Sequence, residues 1–282
     1  MFPAPHNCSF CRSAVSRSGY ESASKDFDDL EVQVPGRIFL VTRGNSSIGK
    51  VTTLEMAKRG GIIHLVCCNQ KQAEGARGEL IRESGNQNIF LQIVDLSDPK
   101  KIWKFVDNFK QEHKLNVLIN NVGCMVNKRE LTEDGLEKNF ATNTLGVYIH
   151  MTGLIPVLEK EHDPRVITVS SGGMLVQKLD TDDLQSERTA FDGTMVYAQN
   201  KQVVLMEQWA WVHPAIHFSL MHPGWANTPG VRQVALSAAA AVRPSGHWKP
   251  VSAHLPLART SSSLAEEERL IEVLEQLAQR FK

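Results

Sequence analysis

The sequence predicts an α/β protein, a single domain in which a doubly wound parallel sheet is covered by helices. Three observations predict it. Apolar runs of strand length alternate with helical patterns along most of the chain. Those runs are apolar at nearly every position, as strands buried on both faces are. The chain has 282 residues, 42% of them hydrophobic, which suffices for one substantial core and requires no second domain.

The first 35 residues mix Ser, Asp and Pro without periodicity and close on Pro35-Gly36, which reads as a flexible or loosely docked extension. Arg37 to Thr42 is a short apolar run that turns abruptly into Gly44-Asn45-Ser46-Ser47 and then into a helical pattern from Ile48 to Arg59. The unit repeats as a strand Ile62 to Cys67, a helix Gln70 to Glu83, a strand Ile89 to Val94, a helix Pro99 to His113 and a strand Asn116 to Asn120. A long helical stretch from Thr132 to Lys160 follows, then the strand Arg165 to Ser170, a helix from about Met195 to Trp211 and the strand Ile216 to Met221. Beyond Met221 the pattern weakens to the Ala-rich Ala235 to Val242 and a Pro/Ser-rich stretch from Pro244 to Ser263. Leu270, Ile271, Leu274, Leu277 and Phe281 then fall at helical spacing opposite Glu266, Glu267, Glu268 and Glu272. This terminal amphipathic helix is expected to pack on the body; a partner-binding helix is the alternative. The division is an extension over 1–35, the nucleotide-binding domain over 36–251 and a linker with terminal helix over 252–282.

Lys plus Arg and Asp plus Glu are equal at 31 each, so the composition carries no electrostatic footprint for nucleic acid or an anionic membrane. No apolar stretch is long enough to span a bilayer, and the N-terminus lacks the apolar run of a signal peptide. The expectation is an intracellular, cytoplasmic chain. Its five cysteines form no disulfide framework, and the lone Cys8-x-x-Cys11 lacks further ligands, so no metal is expected.

The chemistry-bearing residues are Thr42-x-Gly44-x-x-x-x-Gly49 after the first strand, Asn120-Asn121-x-Gly123 after the fourth, Asn143, Ser171, Tyr197-x-x-x-Lys201 and Pro223-Gly224-x-x-x-Thr228. Tyr197 and Lys201 lie four apart on one helix face, where a cation favours the phenolate. Together and in this order the motifs resemble the short-chain dehydrogenase/reductase family, over nearly the whole chain after about Ser18 with gaps towards the C-terminus. The stretches Ser18 to Phe27 and Arg165 to Thr194 place the resemblance near its retinol-dehydrogenase-like branch.

The resemblance implies a Rossmann-type fold and hydride transfer between NADP or NAD and a small carbonyl or alcohol substrate, with lipids and retinoids among the candidates. It implies that Tyr197 exchanges the proton with the substrate oxygen, that Lys201 holds the nicotinamide ribose and lowers the phenol pKa, that Ser171 bonds the carbonyl, and that Asn143 holds a water. Ser170 would belong to the strand end. Around the cofactor it implies Thr42, Gly44, Ser46, Ile48 and Gly49 at the turn, Asp95 at the adenine, and Asn121, Gly123, Pro223, Gly224 and Thr228 beside the cleft. Asp95 also suits a turn with Ser97 and Asp98.

Several positions depart from that pattern. The family turn reads Thr-Gly-x-x-x-Gly-x-Gly, and here Arg43 and Ser47 replace two glycines, leaving Gly49. Such glycines permit a tight turn and close approach to a pyrophosphate. A side chain where positive φ is needed costs about 1–2 kcal/mol. Val122 stands where Ala is usual, Cys67-Cys68-Asn69 carries neither the Arg nor the acid that separates NADP from NAD, and the helices that wall the substrate pocket are largely missing after Thr228. The expectation is weakened cofactor binding and an under-covered sheet that drives copies of the chain together. Two functions stand side by side: an oxidoreductase, and a non-catalytic relic whose surface binds a partner.

Overall fold

The apolar runs pair into one sheet of β1 (Ile38–Thr42), β2 (Ile62–Cys67), β3 (Ile89–Ile93), β4 (Val117–Asn120), β5 (Arg165–Val169) and β6 (His217–Met221). Their order is β3-β2-β1-β4-β5-β6, and every neighbouring pair is parallel. The strand order reverses between β1 and β4, so a crevice opens at the carboxyl ends of those two strands. The structure, a computed structural model, describes residues 32–171, 180–201, 204–221, 223 and 263–282.

Side chains alternate between the two faces of the sheet. Phe39 and Val41 of β1 join Ile63, Leu65 and Ile89 beneath α1 (Ser47–Lys58) and α2 (Gln70–Ser84). Leu40, Val66, Leu118 and Val166 face the other way, towards α3 (Pro99–Glu112) and α5 (Gly146–Leu158). Each helix starts where its sequence allows: the Asn69 side chain caps α2 by accepting from Gln72 N–H at 3.0 Å, and Asp98 caps α3 by accepting from Lys101 N–H at 3.0 Å. Gly85 ends α2 in the left-handed conformation at φ 73°.

Two long helices of the sequence reading are interrupted. The stretch from Thr132 turns first, with Gly135 left-handed at φ 77° and an isolated bridge between Leu131 and Glu137. Helix begins only at α4 (Lys138–Phe140), widens into a π-helical stretch Ala141–Leu145 and continues as α5. The Glu137 carboxylate caps α4 by accepting from the N–H groups of Asn139 and Phe140 at 3.0 and 2.7 Å. The second stretch divides into α6 (Gly193–Asn200) and α7 (Val204–Val212).

The terminal pattern forms α8 (Leu264–Arg280), opened by a capping box between Ser263 and Glu266. Leu270, Leu274, Ala278 and Phe281 are buried in the core cluster. Trp103 Nε1 of α3 donates to the Ala278 carbonyl at 3.0 Å, and the Tyr148 hydroxyl of α5 donates to Glu275 Oε2 at 2.9 Å. Burial and the Glu275 carboxylate hold the Tyr148 phenol protonated, well above its ordinary range. The helix therefore lies against the outer side of α3 and α5. The strand β6 ends the sheet with His217, Ser219 and Leu220 exposed, Leu220 at 40%. The Ala-rich stretch Ala235 to Val242, and the missing cover expected after Thr228, fall within residues 224–262, outside the described residues.

Within α5, His150 is wholly buried, stacks on Phe105 at 5.8 Å between ring centroids, and has no hydrogen-bond partner for either ring nitrogen. Burial lowers its pKa to about 3 from an ordinary 6.5. Between those values the unfolded chain binds the proton and the folded chain does not, so the folded state loses stability as pH falls from 6.5 towards 3. The slope is about 1.4 kcal/mol per pH unit for one such group. His150→Leu removes two unsatisfied nitrogens, worth about 1–3 kcal/mol, at little change in volume. Thermal melts should show it more stable than wild type at pH 7, with the gap widening towards pH 5; a gap constant with pH would contradict this account.

Candidate active site

The crevice is built by two loops that hydrogen bonds lock together. The buried Thr42 hydroxyl, at the end of β1, accepts from the N–H groups of Asn121 and Val122, both at 2.9 Å, and donates to the Ile119 carbonyl at 3.4 Å. Asn121 returns the contact, its Nδ2 donating to the carbonyl of Thr42 at 3.1 Å and of Arg43 at 3.4 Å. Gly49 lets α1 approach the same point: a Cβ there would lie 2.4 Å from the Arg43 carbonyl oxygen and 2.6 Å from Asn121 Nδ2. Gly44 packs against β2, where a Cβ would lie 2.5 Å from Leu65.

Arg43 and Ser47, the residues that replace glycines, are both left-handed, at φ 53° and 48°. The strain expected from the sequence is therefore present, about 1–2 kcal/mol at each position. Ser46 is the N-cap of α1 but makes no side-chain cap, no acid stands in the first turn, and Ile48 is half-buried behind it. The N-terminal N–H groups of α1 thus meet no side-chain acceptor from that cap, which suits an anion.

Tyr197 and Lys201 converge on the other side of Gly123. A Cβ on Gly123 would lie 3.3 Å from the Tyr197 hydroxyl and 3.6 Å from Lys201 Nζ. The Lys201 N–H donates to the Tyr197 carbonyl at 3.0 Å, the one-turn relation read from the sequence. Its ammonium is buried and donates to the carbonyls of Val122 at 2.6 Å and Val169 at 3.3 Å. Burial, with the Arg43 guanidinium second, lowers the Lys201 pKa to about 8. Burial raises the Tyr197 phenol above its ordinary value, and the charge opposing that rise is Arg43. The expected net lowering of the phenol by Lys201 is not what the structure has.

Asn143 is buried in the π-helical stretch with its amide committed to Cys124: Oδ1 accepts from Cys124 N–H, and Nδ2 donates to its carbonyl, both at 2.7 Å. Asn139, one turn earlier, clasps Val126 in the same way at 2.9 and 3.2 Å. The pair holds the loop after β4 as a neighbouring strand would. Sequence reasoning passed over Asn139, although its four-residue spacing from Asn143 is a signal. The buried Ser170 hydroxyl donates to the Lys201 carbonyl at 2.6 Å, a strand-end role, while Ser171 follows it half-buried. A cavity of about 40 Å³, lined among others by Asn120, Asn143, Ser170, Asn200 and Lys201, adjoins these groups and is large enough for water.

Other residues stand apart. Asp95 is exposed, and its carboxylate accepts from Ser97 N–H at 2.9 Å and the Ser97 hydroxyl at 2.8 Å, forming the turn that the sequence also allowed. Pro223 follows β6, half-buried; Gly224 and Thr228 lie outside the described residues, as do Cys8 and Cys11.

Residues 37–179 match the short chain dehydrogenase family. The chain belongs to that family. It is 73% identical to dehydrogenase/reductase SDR family member 12 of Homo sapiens over 95% of each chain. A more distant relative is retinol dehydrogenase 12 of Mus musculus, 33% identical over 62% of this chain and 55% of that one. A solved structure, of an uncharacterized protein from Mycobacterium paratuberculosis, superposes with a TM-score of 0.68 at 25% identity, covering 88% of this chain and 95% of that one. Members of the short chain dehydrogenase family typically bind NAD(P). Among the described residues, no helix is long and apolar enough to cross a membrane.

The site has room for such a cofactor at both ends and is crossed by a side chain between them. Gly123 leaves the space beside Tyr197 and Lys201 open, and the first turn of α1 has no acid to repel a phosphate. Between them Arg43 stretches across the crevice and donates to the Gly123 carbonyl.

The close approach at Gly49 makes a sharp prediction. Gly49→Ala places its methyl against backbone and should cost about 1–3 kcal/mol. Gly75→Ala, on the exposed face of α2 with nothing within 4 Å, should instead gain about 1 kcal/mol. Urea denaturation of the two variants should give opposite signs.

Proposed function

We propose that the chain is an NAD(P)-dependent oxidoreductase acting on a small carbonyl or alcohol substrate, with dinucleotide binding weakened by its altered turn. The observation that carries this reading is the convergence of the Tyr197 hydroxyl and the Lys201 ammonium on Gly123, at the mouth of the crevice. When bound, the dinucleotide supplies or accepts the hydride. Tyr197 carries the proton: a phenol that burial keeps protonated suits donation to an oxygen gaining negative charge. Lys201, with no carboxylate partner among the described residues, is placed to hold the ribose hydroxyls, and Ser171 to orient the substrate oxygen. Asn143 acts by fixing the loop that carries Cys124. Thr42, Gly44, Ser46, Ile48, Gly49, Asn121 and Gly123 would frame the phosphates, with Asp95 nearer the adenine and Pro223 at the far rim.

NADP and NAD remain equal choices, since Cys67-Cys68-Asn69 offers neither an arginine for a ribose phosphate nor an acid for ribose hydroxyls. A second reading, a non-catalytic member of the family, is favoured by one observation: Arg43 closes the crevice onto Gly123.

NADPH or NADH added to the wild-type chain should raise its melting temperature little, and Arg43→Gly with Ser47→Gly should restore a clear shift, because the double change removes both the strain and the arm. Micromolar binding by the wild type would refute the obstruction. Where carbonyl reduction is measurable, Tyr197→Phe should lower it about 10²–10⁴-fold, the usual worth of a positioned acid. Turnover that survives in the Phe variant would remove Tyr197 from the mechanism.

A further inference from the structure

Among the described residues five buried side-chain atoms have no hydrogen-bond partner, and two of them belong to residues that line one cavity: Oδ1 of Asn120, at the end of β4, and Nδ2 of Asn200, at the end of α6. Neither residue can turn to bulk water, since Asn120 is 2% exposed and Asn200 7%. Buried polar atoms of this kind are normally satisfied, by protein or by ordered water. The rest of each residue shows what is left over. Asn120 Nδ2 faces Thr168 Oγ1 at 3.5 Å and Met151 Sδ at 3.7 Å, which leaves its acceptor unspent. The Asn200 carbonyl takes the Thr144 hydroxyl at 3.4 Å, and Nδ2 remains as a donor. Other polar groups on the cavity wall are engaged elsewhere. The Asn143 amide clasps Cys124, the Ser170 hydroxyl donates to the Lys201 carbonyl, the Tyr148 hydroxyl donates to Glu275, and the Lys201 ammonium donates to the carbonyls of Val122 and Val169.

We propose that this cavity is a binding site for one water molecule, which donates to Asn120 Oδ1 and accepts from Asn200 Nδ2. The cavity holds about 40 Å³, against the roughly 30 Å³ that a water occupies in the liquid, and a buried water needs two to four polar partners. The pairing selects the ligand. A cation accepts nothing from an N–H and an anion donates nothing to an amide oxygen, whereas water does both, and a larger molecule has no room. Met151, Met206 and Trp209 on the same wall present sulfur and ring surface, so the two amides are the strong partners on offer. The bound water ties the last turn of α6 to the end of β4, immediately before Lys201 in the chain. Asn143, whose amide is committed to Cys124, takes no part in holding it.

This inference goes beyond the proposed activity, and its test uses neither cofactor nor substrate, so the two stand or fall separately. In the wild-type chain labelled with ¹⁵N-asparagine, the Nδ2 hydrogens of Asn200 should show cross-relaxation to water with the sign of a bound molecule rather than a freely diffusing one. The signal should survive Thr144→Val, which removes a hydroxyl able to relay it. Water ¹⁷O relaxation dispersion counts long-lived internal waters, and Asn200→Leu, which fills the donor's place with an apolar group of similar size, should have one fewer than wild type. Where Asn200→Leu does not fold, the wild-type measurement decides alone. An Asn200 amide with no bound-water signal overturns the proposal, and so does a folded Asn200→Leu protein with the wild-type count.

Discussion

The crevice depends on the Thr42 hydroxyl. One oxygen accepts from two consecutive backbone N–H groups of the loop after β4 and gives its own proton to the carbonyl at the end of that strand. The group is buried, so none of these bonds has water as an alternative, and losing the oxygen would leave two N–H groups unsatisfied at about 1–3 kcal/mol each. Gly123, and through it the neighbours of Tyr197 and Lys201, takes its place from that anchorage. The twin amide clasps of Asn139 and Asn143 secure Cys124 and Val126 of the same loop. A site made from loops is in this way held almost as firmly as the sheet beneath it.

Against that rigid frame, Arg43 and Ser47 show how much local cost a fold can carry. Two left-handed side chains cost about 2–4 kcal/mol together, a sizeable part of the 5–15 kcal/mol by which domains are stable. The Arg43 N–H nevertheless keeps its bond to the Val66 carbonyl at 2.7 Å, so the turn retains its path. The side chain then runs across the crevice to the Gly123 carbonyl, so one residue joins the turn after β1 to the loop after β4.

What the sequence made legible was the sheet. β2 was read from Ile62 to Cys67 and lies there, because a strand buried on both faces announces itself by an unbroken apolar run. The Rossmann-type fold implied by the family resemblance is present, with the strand order switching direction between β1 and β4. Helix boundaries were less legible. Nothing in the apolar periodicity after Thr132 shows that Gly135 turns left-handed, in a turn bonded back to the Thr132 carbonyl, or that the buried Glu137 carboxylate starts the helix beside its bridge to Leu131. The motif residues could be named from sequence, but not their electrostatics. Spacing puts Lys201 one turn from Tyr197; burial of the phenol and the reach of Arg43 across eighty residues of chain to Gly123 exist only once the tertiary structure has formed.

The docking of α8 bears on how the chain reaches this structure. Trp103 bonds to a residue 175 positions later, and Tyr148 to one 127 positions later. Contacts of such separation close large loops, and folding slows as their share grows. During synthesis the indole of Trp103 and the phenol of Tyr148 must wait, wet and unpaired, until α8 has emerged. Until then the apolar outer sides of α3 and α5 are open to association, so the emergence of α8, rather than the pairing of β1 with β4, sets the moment at which those sides are covered.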